Sequence, residues 1–327
     1  MSKTSRSGAL LSTLLAGWLV SCSNGPAPPP LRVGLLVWPG YELFFLARDQ
    51  GLYPDGEIQL VSFRSPAEAV RAYRAGLLDG VALTLEYAIQ IESEDPGQAV
   101  VLVIDTSDGG DSLLARKGID SLADLRGRRI GVEASALGVF FSRRVLEKAG
   151  LTESDVHLVP IDVGDQERAF LSGEVDALAT FEPTRSRLLA EGAHELFNSR
   201  DLPGQILDVL LVPDELVHRR THALTLLTRG WFAARARLSR DPPAAAAAMA
   251  PREKLTPSAF LEALKGLELT SQAENRDLLL GAGPGSPPGL VAVIADRARL
   301  LRHYGLIDRP IEPAEMVSGE IAQGLEP

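Results

Sequence analysis

A turn of small residues, Glu133-Ala-Ser-Ala136, separates a predicted strand (129–132) from a predicted long helix (139–149). Backbone N–H groups at such a helix start are free, and the helix dipole adds partial positive charge, so an acceptor group of a ligand can bind there. The alternative is an ordinary strand–helix connection in which Ser135 is a structural N-cap.

Carboxylates occur at several loops that follow predicted strands. They suit a ligand with an amine or amidine group, or a zwitterion, whereas a bare sulfonate or nitrate needs donors and cations. The alternatives are pairing with Arg64, Arg116 and Arg185, or a role as solvated caps and turn residues. The carboxylates are those of Glu86, Asp108, Asp111, Glu133, Asp162 and Glu182.

Three further loops carry candidate ligand contacts. Trp38 and Tyr41 flank a Pro-Gly turn after the first strand, where they form either a ligand wall or core packing. Thr84 opens the loop after the third strand. The segment 107–112 contains Gly109-Gly110, which permits close backbone approach, and it predicts a hinge, a ligand contact or a plain turn.

No catalytic or metal-binding motif stands out. The only spacing typical of metal ligands is His218-x-x-x-His222, which lacks a neighbouring ligand and contains Arg219 and Arg220. A nucleophile elbow, a P-loop and a Gly-x-Gly-x-x-Gly motif after a strand are all absent. The sequence therefore predicts a protein that is not an enzyme and uses no cofactor or metal.

Strands and helices alternate through residues 31–212, which predicts two doubly wound, mostly parallel α/β units. Beyond Pro213 the pattern is helical. We expect two lobes joined by crossover strands, with lobe 1 at 31–108 plus 213–327 and lobe 2 at 109–212. Ligands of open α/β sheets bind beyond the carboxyl ends of the strands, so the loops above should line one cleft.

An ordered set of segments resembles the solute-binding proteins of ABC importers, and more narrowly the nitrate/sulfonate/taurine and thiamine-pyrimidine-precursor group. The similarity covers nearly the whole chain after residue 30, although no single segment is specific. The segments are Trp38-Pro-Gly-Tyr-Glu42, Arg48-Asp-Gln-Gly-Leu-Tyr53, Ala75-Gly76, Asp79-Gly-Val-Ala82, Lys117-Gly-Ile119, Asp124-Leu-Arg-Gly-Arg-Arg-Ile-Gly-Val132, Ser172-Gly-Glu-Val-Asp-Ala177 and Phe181-Glu-Pro183.

The resemblance implies a type II periplasmic-binding-protein fold whose lobes close like a hinge over a small organic solute. It also implies delivery to a membrane permease with a cytoplasmic ATPase, and it assigns the helix start at Ser135, Ala136 and Leu137 to ligand contact. An alternative is a lipoprotein that senses the ligand for a membrane sensor kinase. The predicted ligand-binding residues are Trp38, Tyr41, Thr84, Glu86, Ser107, Asp108, Ser135, Ala136, Leu137 and Glu182.

The amino terminus has the pattern of a secretory leader. Lys3 and Arg6 precede an apolar stretch, 8–20, and the sequence Leu-Val-Ser-Cys22 resembles a bacterial lipobox. Cys22 is the only cysteine, which excludes internal disulfides, and its place favours lipid attachment over an ordinary cleavage site. We expect a signal peptide at 1–21, a lipidated Pro-rich tether at 22–30, and an anchor in one of the cell's membranes.

The chain without residues 1–21 is acidic, with 31 Lys and Arg against 43 Asp and Glu and a formal charge of −12. Acidic surfaces disfavour nucleic acid and anionic lipid as partners. The expected partners are therefore a small solute and the importer, with membrane contact through the lipid alone, and we expect a monomer.

Overall fold

A computed structural model of the protein describes residues 28–281 and 289–325. The predicted signal peptide, Cys22 and most of the tether lie outside the described residues. None of the helices in these two ranges is long and apolar enough to cross a membrane.

Strands and helices alternate through the first two thirds of the chain, and helices dominate the rest. The strands are β1 (Leu31–Leu35), β2 (Ile58–Ser62), β3 (Gly80–Thr84), β4 (Gln98–Ser107), β5 (Asp111–Ala115), β6 (Arg129–Val132), β7 (His157–Pro160), β8 (Ala177–Phe181), β9 (His194–Asn198), β10 (Leu207–Pro213) and β11 (Leu267–Leu269). The helices are α1 (Glu42–Asp49), α2 (Pro66–Arg74), α3 (Leu85–Glu94), α4 (Ala136–Ala149), α5 (Gln166–Ser172), α6 (Thr184–Ala190), α7 (Asp214–Arg219), α8 (Thr221–Arg240), α9 (Pro242–Met249), α10 (Pro257–Leu264), α11 (Gln272–Leu280), α12 (Leu290–His303) and α13 (Glu320–Gln323).

Two sheets organise the molecule, which confirms the predicted fold class. The first has the strand order β11-β4-β10-β3-β1-β2 and the second β7-β6-β8-β5-β9. Both are mixed rather than mostly parallel, because β10 runs antiparallel to β3 and β4, and β5 runs antiparallel to β8 and β9. Strand β10 belongs to the first sheet, although the sequence predicts that residues up to 212 lie in lobe 2. The lobe boundaries themselves stay a prediction.

Helix α4 begins three residues earlier than the sequence pattern predicted. Ser135 has extended backbone angles, and its Oγ accepts the N–H of Gly138 at 2.9 Å, which caps the helix. The helix ends at Gly150, whose φ of 66° is the left-handed conformation that glycine adopts without strain. The small-residue turn is therefore shorter, and Ala136 and Leu137 are helical.

Two crossovers connect the sheets, and they are hydrogen-bonded to each other. The hydroxyls of Ser107, at the end of β4, and Ser199, after β9, lie 2.8 Å apart. The N–H of Gly109 donates to Ser199 Oγ at 2.6 Å. A Cβ on Gly110 would lie 2.7 Å from the Trp38 ring and 3.0 Å from the carbonyl of Gly266, so only glycine fits at this crossing.

Helix α12 packs against both halves of the molecule. Arg297 is almost fully buried, and its Nη1 lies 2.8 Å from Oε1 of the fully buried Glu86 at the start of α3. Its guanidinium also lies 4.3 Å from the ring centroid of Phe140 in α4. Arg297 therefore supplies the countercharge for a buried carboxylate next to the cleft.

Replacing Arg297 with alanine should lower the free energy of unfolding by about 3–5 kcal/mol, because Glu86 is left buried without its counterion. Chemical denaturation measures this change. Adding Glu86→Gln should recover part of the loss. The matched control is Arg299→Ala on the same helix, whose pair with Asp296 is exposed and should contribute little. Equal effects of the two arginine substitutions would contradict this assignment.

Candidate functional site

A partly open cavity lies between the two sheets, beyond the carboxyl ends of β1, β3, β6 and β8. About 390 Å³ of space in the cavity and at its open mouth is not filled by protein atoms, and the part that the centre of a water molecule can occupy is about 30 Å³. Its walls come from both halves of the chain: Leu36, Val37, Trp38, Tyr41, Pro66, Thr84, Tyr87, Asp111, Glu133, Leu137, Phe181 and Asp208.

A second chamber adjoins the first, and the part of it that the centre of a water molecule can occupy is about 20 Å³. Asp111, Glu133, Leu137 and Phe181 line both chambers, so they stand at the junction. The residues that only the second chamber adds are Gly138, Phe141, Gln166, Ala179 and Thr180.

Aromatic donors of the first sheet's half bind buried carboxylates beside the cavity. The indole N–H of Trp38 lies 3.2 and 3.1 Å from the two carboxylate oxygens of Asp105. The hydroxyl of Tyr41 donates to Asp208. Asp105 and Asp208 are opposite each other on the antiparallel strands β4 and β10, and both are almost fully buried.

A hydrogen bond across the cleft joins the two halves at the start of α4. Tyr87 of α3 donates its hydroxyl proton to Glu133 Oε1 at 2.9 Å, and the Ser135 hydroxyl donates to Glu133 Oε2 at 3.0 Å. The position next to this helix start thus already holds a carboxylate.

Burial disfavours the charged form of every carboxylate in this cluster. Loss of hydration raises the pKa of Asp105 to about 7 and that of Asp111 to about 8. It also raises the pKa of Glu133, although Tyr87 and Ser135 oppose the shift by donating hydrogen bonds. The pKa of Asp208 rises well above its usual range through burial and through the charge of Asp105. The cavity therefore holds acidic groups that ionise only at unusually high pH, and a bound cation would stabilise their charged forms.

Four of the predicted ligand-binding residues line the cavity: Trp38, Tyr41, Thr84 and Leu137. Ser135 lies behind it and orients Glu133, while Ala136 is buried as the first residue of α4. The structure thus brings the aromatic turn, the end of β3 and the start of α4 to one place.

The other four predicted residues have protein partners away from the cavity lining. Glu86 pairs with Arg297, and Ser107 contacts Ser199 in the crossovers. The carboxylate of Asp108 lies 3.6 Å from Arg200. Glu182 is fully buried and accepts from Arg185 Nη1 at 2.9 Å and from the N–H of Ser186 at 3.1 Å. Pairing with Arg185 is one of the alternatives considered for these acids.

Sequence reasoning missed Tyr87, Phe181 and the pair Asp105 and Asp208 as site residues, and it named Asp111 and Glu133 only as acids of cleft-facing loops. The available signal was an aspartate inside an apolar strand, since a carboxylate there is costly unless it has a partner. Within 28–281 and 289–325, no group of three or more His, Cys, Asp or Glu side chains is arranged to hold a metal ion.

The sequence profile of the NMT1-like family matches residues 24–252 of this chain. A Brucella abortus protein named as a binding protein is 29% identical over 160 residues, which are 47% of this chain and 48% of that protein. The chain thus matches about half the length of this relative.

Solved structures share the fold at low identity. The periplasmic aliphatic sulphonate binding protein SsuA from Escherichia coli superposes with a TM-score of 0.72 at 18% identity, over 91% of this chain and 100% of that one. The desulfurization enzyme DSZB superposes with a TM-score of 0.64 at 18% identity, over 89% of this chain and 98% of that one. The same architecture thus occurs in a binding protein and in an enzyme.

The free energy of unfolding of the ligand-free protein should fall as the pH rises from about 4 to about 8. Folded Asp111 keeps a proton through this window, because its pKa is raised from 3.8 to about 8, whereas the unfolded chain releases it. Asp111→Asn should reduce the slope by up to about 1.4 kcal/mol per pH unit. Denaturant titrations at several pH values measure this. The control Asp201→Asn removes an exposed carboxylate and should leave the slope unchanged; an unaltered slope in Asp111→Asn would contradict the prediction.

Proposed function

The chain belongs to the NMT1-like family, and from that premise we propose that it is an extracytoplasmic, lipid-anchored solute-binding protein of an ABC importer. It captures a small organic solute, either sulfonate- or taurine-like or amine-bearing and similar to a pyrimidine precursor. One observation carries the proposal: the cavity is walled by strand ends of two sheets, which two crossovers connect in the described part of the chain.

Hinge closure over the solute is the proposed motion, and the arrangement of the two crossovers supports it. The two crossovers lie side by side, so a rotation of one half about them opens or closes the cleft. Tyr87 and Glu133 come from opposite halves and bond at the edge of the cavity. Closing the cleft forms this bond and removes the solute from water.

The chemistry of the lining supports binding rather than catalysis. Two of its hydroxyl groups are engaged with carboxyl groups, Tyr41 with Asp208 and Tyr87 with Glu133, and the chain's only cysteine, Cys22, precedes the described residues. The enzyme DSZB shares the fold, so an enzyme is a further candidate, and the chemistry of the lining favours it less. The second candidate is a ligand sensor that signals to a membrane sensor kinase, for which the same closing motion would be the output.

The anchor and the partners complete the proposal. The lipobox-like sequence before Cys22 supports lipid attachment, and the tether would hold the binding body at the outer face of a membrane. The closed form would dock as a monomer on the permease, whose cytoplasmic ATPase drives uptake. A permease gene beside this one would favour the importer, and a sensor-kinase gene the alternative.

A thermal-shift screen of sulfonates, taurine, aminopyrimidines, polyamines and nitrate should reveal at least one stabilising compound. A ligand that binds only the folded state stabilises it by RT ln(1 + [L]/Kd), which is roughly 4 kcal/mol at a thousandfold excess over Kd. Tyr87→Phe should weaken binding of that compound about fivefold, because it removes the bond across the cleft. The matched control is Tyr73→Phe, which removes a bond to Gln98 within the first half of the molecule. If both variants bind like the wild type, closure does not involve Tyr87.

Cys22→Ala should release the protein from the membrane fraction, because the modified thiol carries the lipid. Fractionation of cells that express the wild type and the variant measures this. Cys22→Ser, which lacks the same thiol, serves as a second variant and should behave identically. Retention of either variant in the membrane would point to another anchor.

A further inference from the structure

Acidic side chains lie close together at the junction of the two chambers. Asp111 and Glu133 line both chambers, and both are less than a tenth exposed. Asp208 lines the first chamber with them. Whatever occupies the junction is therefore in contact with carboxylates from β5 and from the start of α4.

The side-chain donors around the first chamber are largely used by the protein itself. Trp38 donates to Asp105, Tyr41 to Asp208, and Tyr87 to Glu133. The hydroxyl of Thr84 is a further donor of the lining, and it interacts with the buried carboxylate of Glu86. An anionic ligand would have to take these donors away from buried carboxylates.

Positive charge is missing from the same place. In the described part of the chain, no lysine, arginine or histidine lies within 4 Å of the carboxylates of Asp105, Asp111, Glu133 or Asp208. The buried guanidinium of Arg297 already pairs with Glu86. Buried carboxylates without counterions are costly, and a bound cation removes that cost.

The second chamber holds an independent sign of a ligand. Gln166 is 1% exposed, and its Oε1 accepts from the Thr180 hydroxyl at 2.7 Å. Its Nε2 has no partner among the described residues. A buried amide N–H group without an acceptor is costly, so an acceptor atom of a ligand in this chamber would satisfy it.

We propose that the solute is a compact organic cation, an ammonium, amidinium or guanidinium, whose charged group lies at the junction between Asp111 and Glu133. The inference rests on the proposed function, which supplies the solute. The apolar part of the cation packs against Trp38 and Phe181, whose rings meet edge to face with centroids 6.2 Å apart. An aromatic wall adds attraction for a cation through the electron-rich face of its ring.

Three probes of one shape test the charge: benzylamine, benzyl alcohol and phenylmethanesulfonate. Isothermal titration and thermal shift are run on the protein from residue 23 onward at pH 8 and low salt. The amine should bind at least about tenfold more tightly than the alcohol, since one desolvated charge pair contributes more than 1.4 kcal/mol. The sulfonate should not bind.

Two charge-removing variants locate the group. Asp111→Asn and Glu133→Gln keep the size of the side chain, and each should weaken binding of benzylamine about tenfold while leaving the weak binding of benzyl alcohol unchanged. Asp201→Asn removes an exposed charge from the same half of the chain and should bind benzylamine like the wild type. Circular dichroism establishes that each variant is folded.

The outcomes separate this inference from the proposed function. Tight binding of phenylmethanesulfonate, or equal binding of all three probes, overturns the cation and leaves a solute-binding protein. Benzylamine binding that Asp111→Asn and Glu133→Gln do not alter overturns the placement at the junction. Absence of binding by all three probes, together with a thermal-shift screen in which nothing stabilises the protein, overturns both.

Discussion

The cost of burying carboxylates without cations governs the centre of this molecule. Trp38, Tyr41 and Tyr87 each donate a proton to an acid that would otherwise be exposed to a low dielectric. These donors come from the loop after β1 and from α3, and their acids from β4, β10 and the loop after β6. The hydrogen bonds that lower the cost of burying these acids therefore also hold together the strand ends around the cavity.

The walls of the cavity and the crossovers between the two halves are held together by different kinds of contact. The walls are strand ends and aromatic rings packed into continuous apolar clusters, one of which includes residues of both sheets. The joint is a pair of crossovers linked by small hydroxyls and glycines, with Ser107, Ser199 and Gly109 as its centre. Short polar contacts exchange readily with water, so the crossovers are where the proposed closure would turn, while the apolar cluster that spans both sheets would have to separate in part.

The sequence was sufficient to predict the alternation of elements, the two-sheet class and the cleft-facing loops, because these follow from hydrophobic periodicity and from Gly and Pro at turns. It did not show that Glu86 faces Arg297, more than two hundred residues away, or that β10 returns to the first sheet. Short elements such as β11 and α6 were also missed, since a few residues carry too little pattern. The partner of each acid depends on which distant segments meet in the folded chain. The local sequence pattern carries no information about these contacts.

The strand order of the first sheet has a consequence for how the chain acquires its structure. Strand β10 lies between β3 and β4, so these two strands have no direct contact in the sheet. Residues 31–107 can form the pairs of β1 with β2 and β3, but β4 remains without a neighbour until residues 207–213 arrive. Residues 108–206 must be looped out before β4 can pair with β10. Because the amino end of the chain is synthesised first, the long apolar strand β4 stays unpaired during synthesis. The second sheet can assemble meanwhile, because its strands lie within residues 111–198. The inserted half can therefore fold before the half that encloses it.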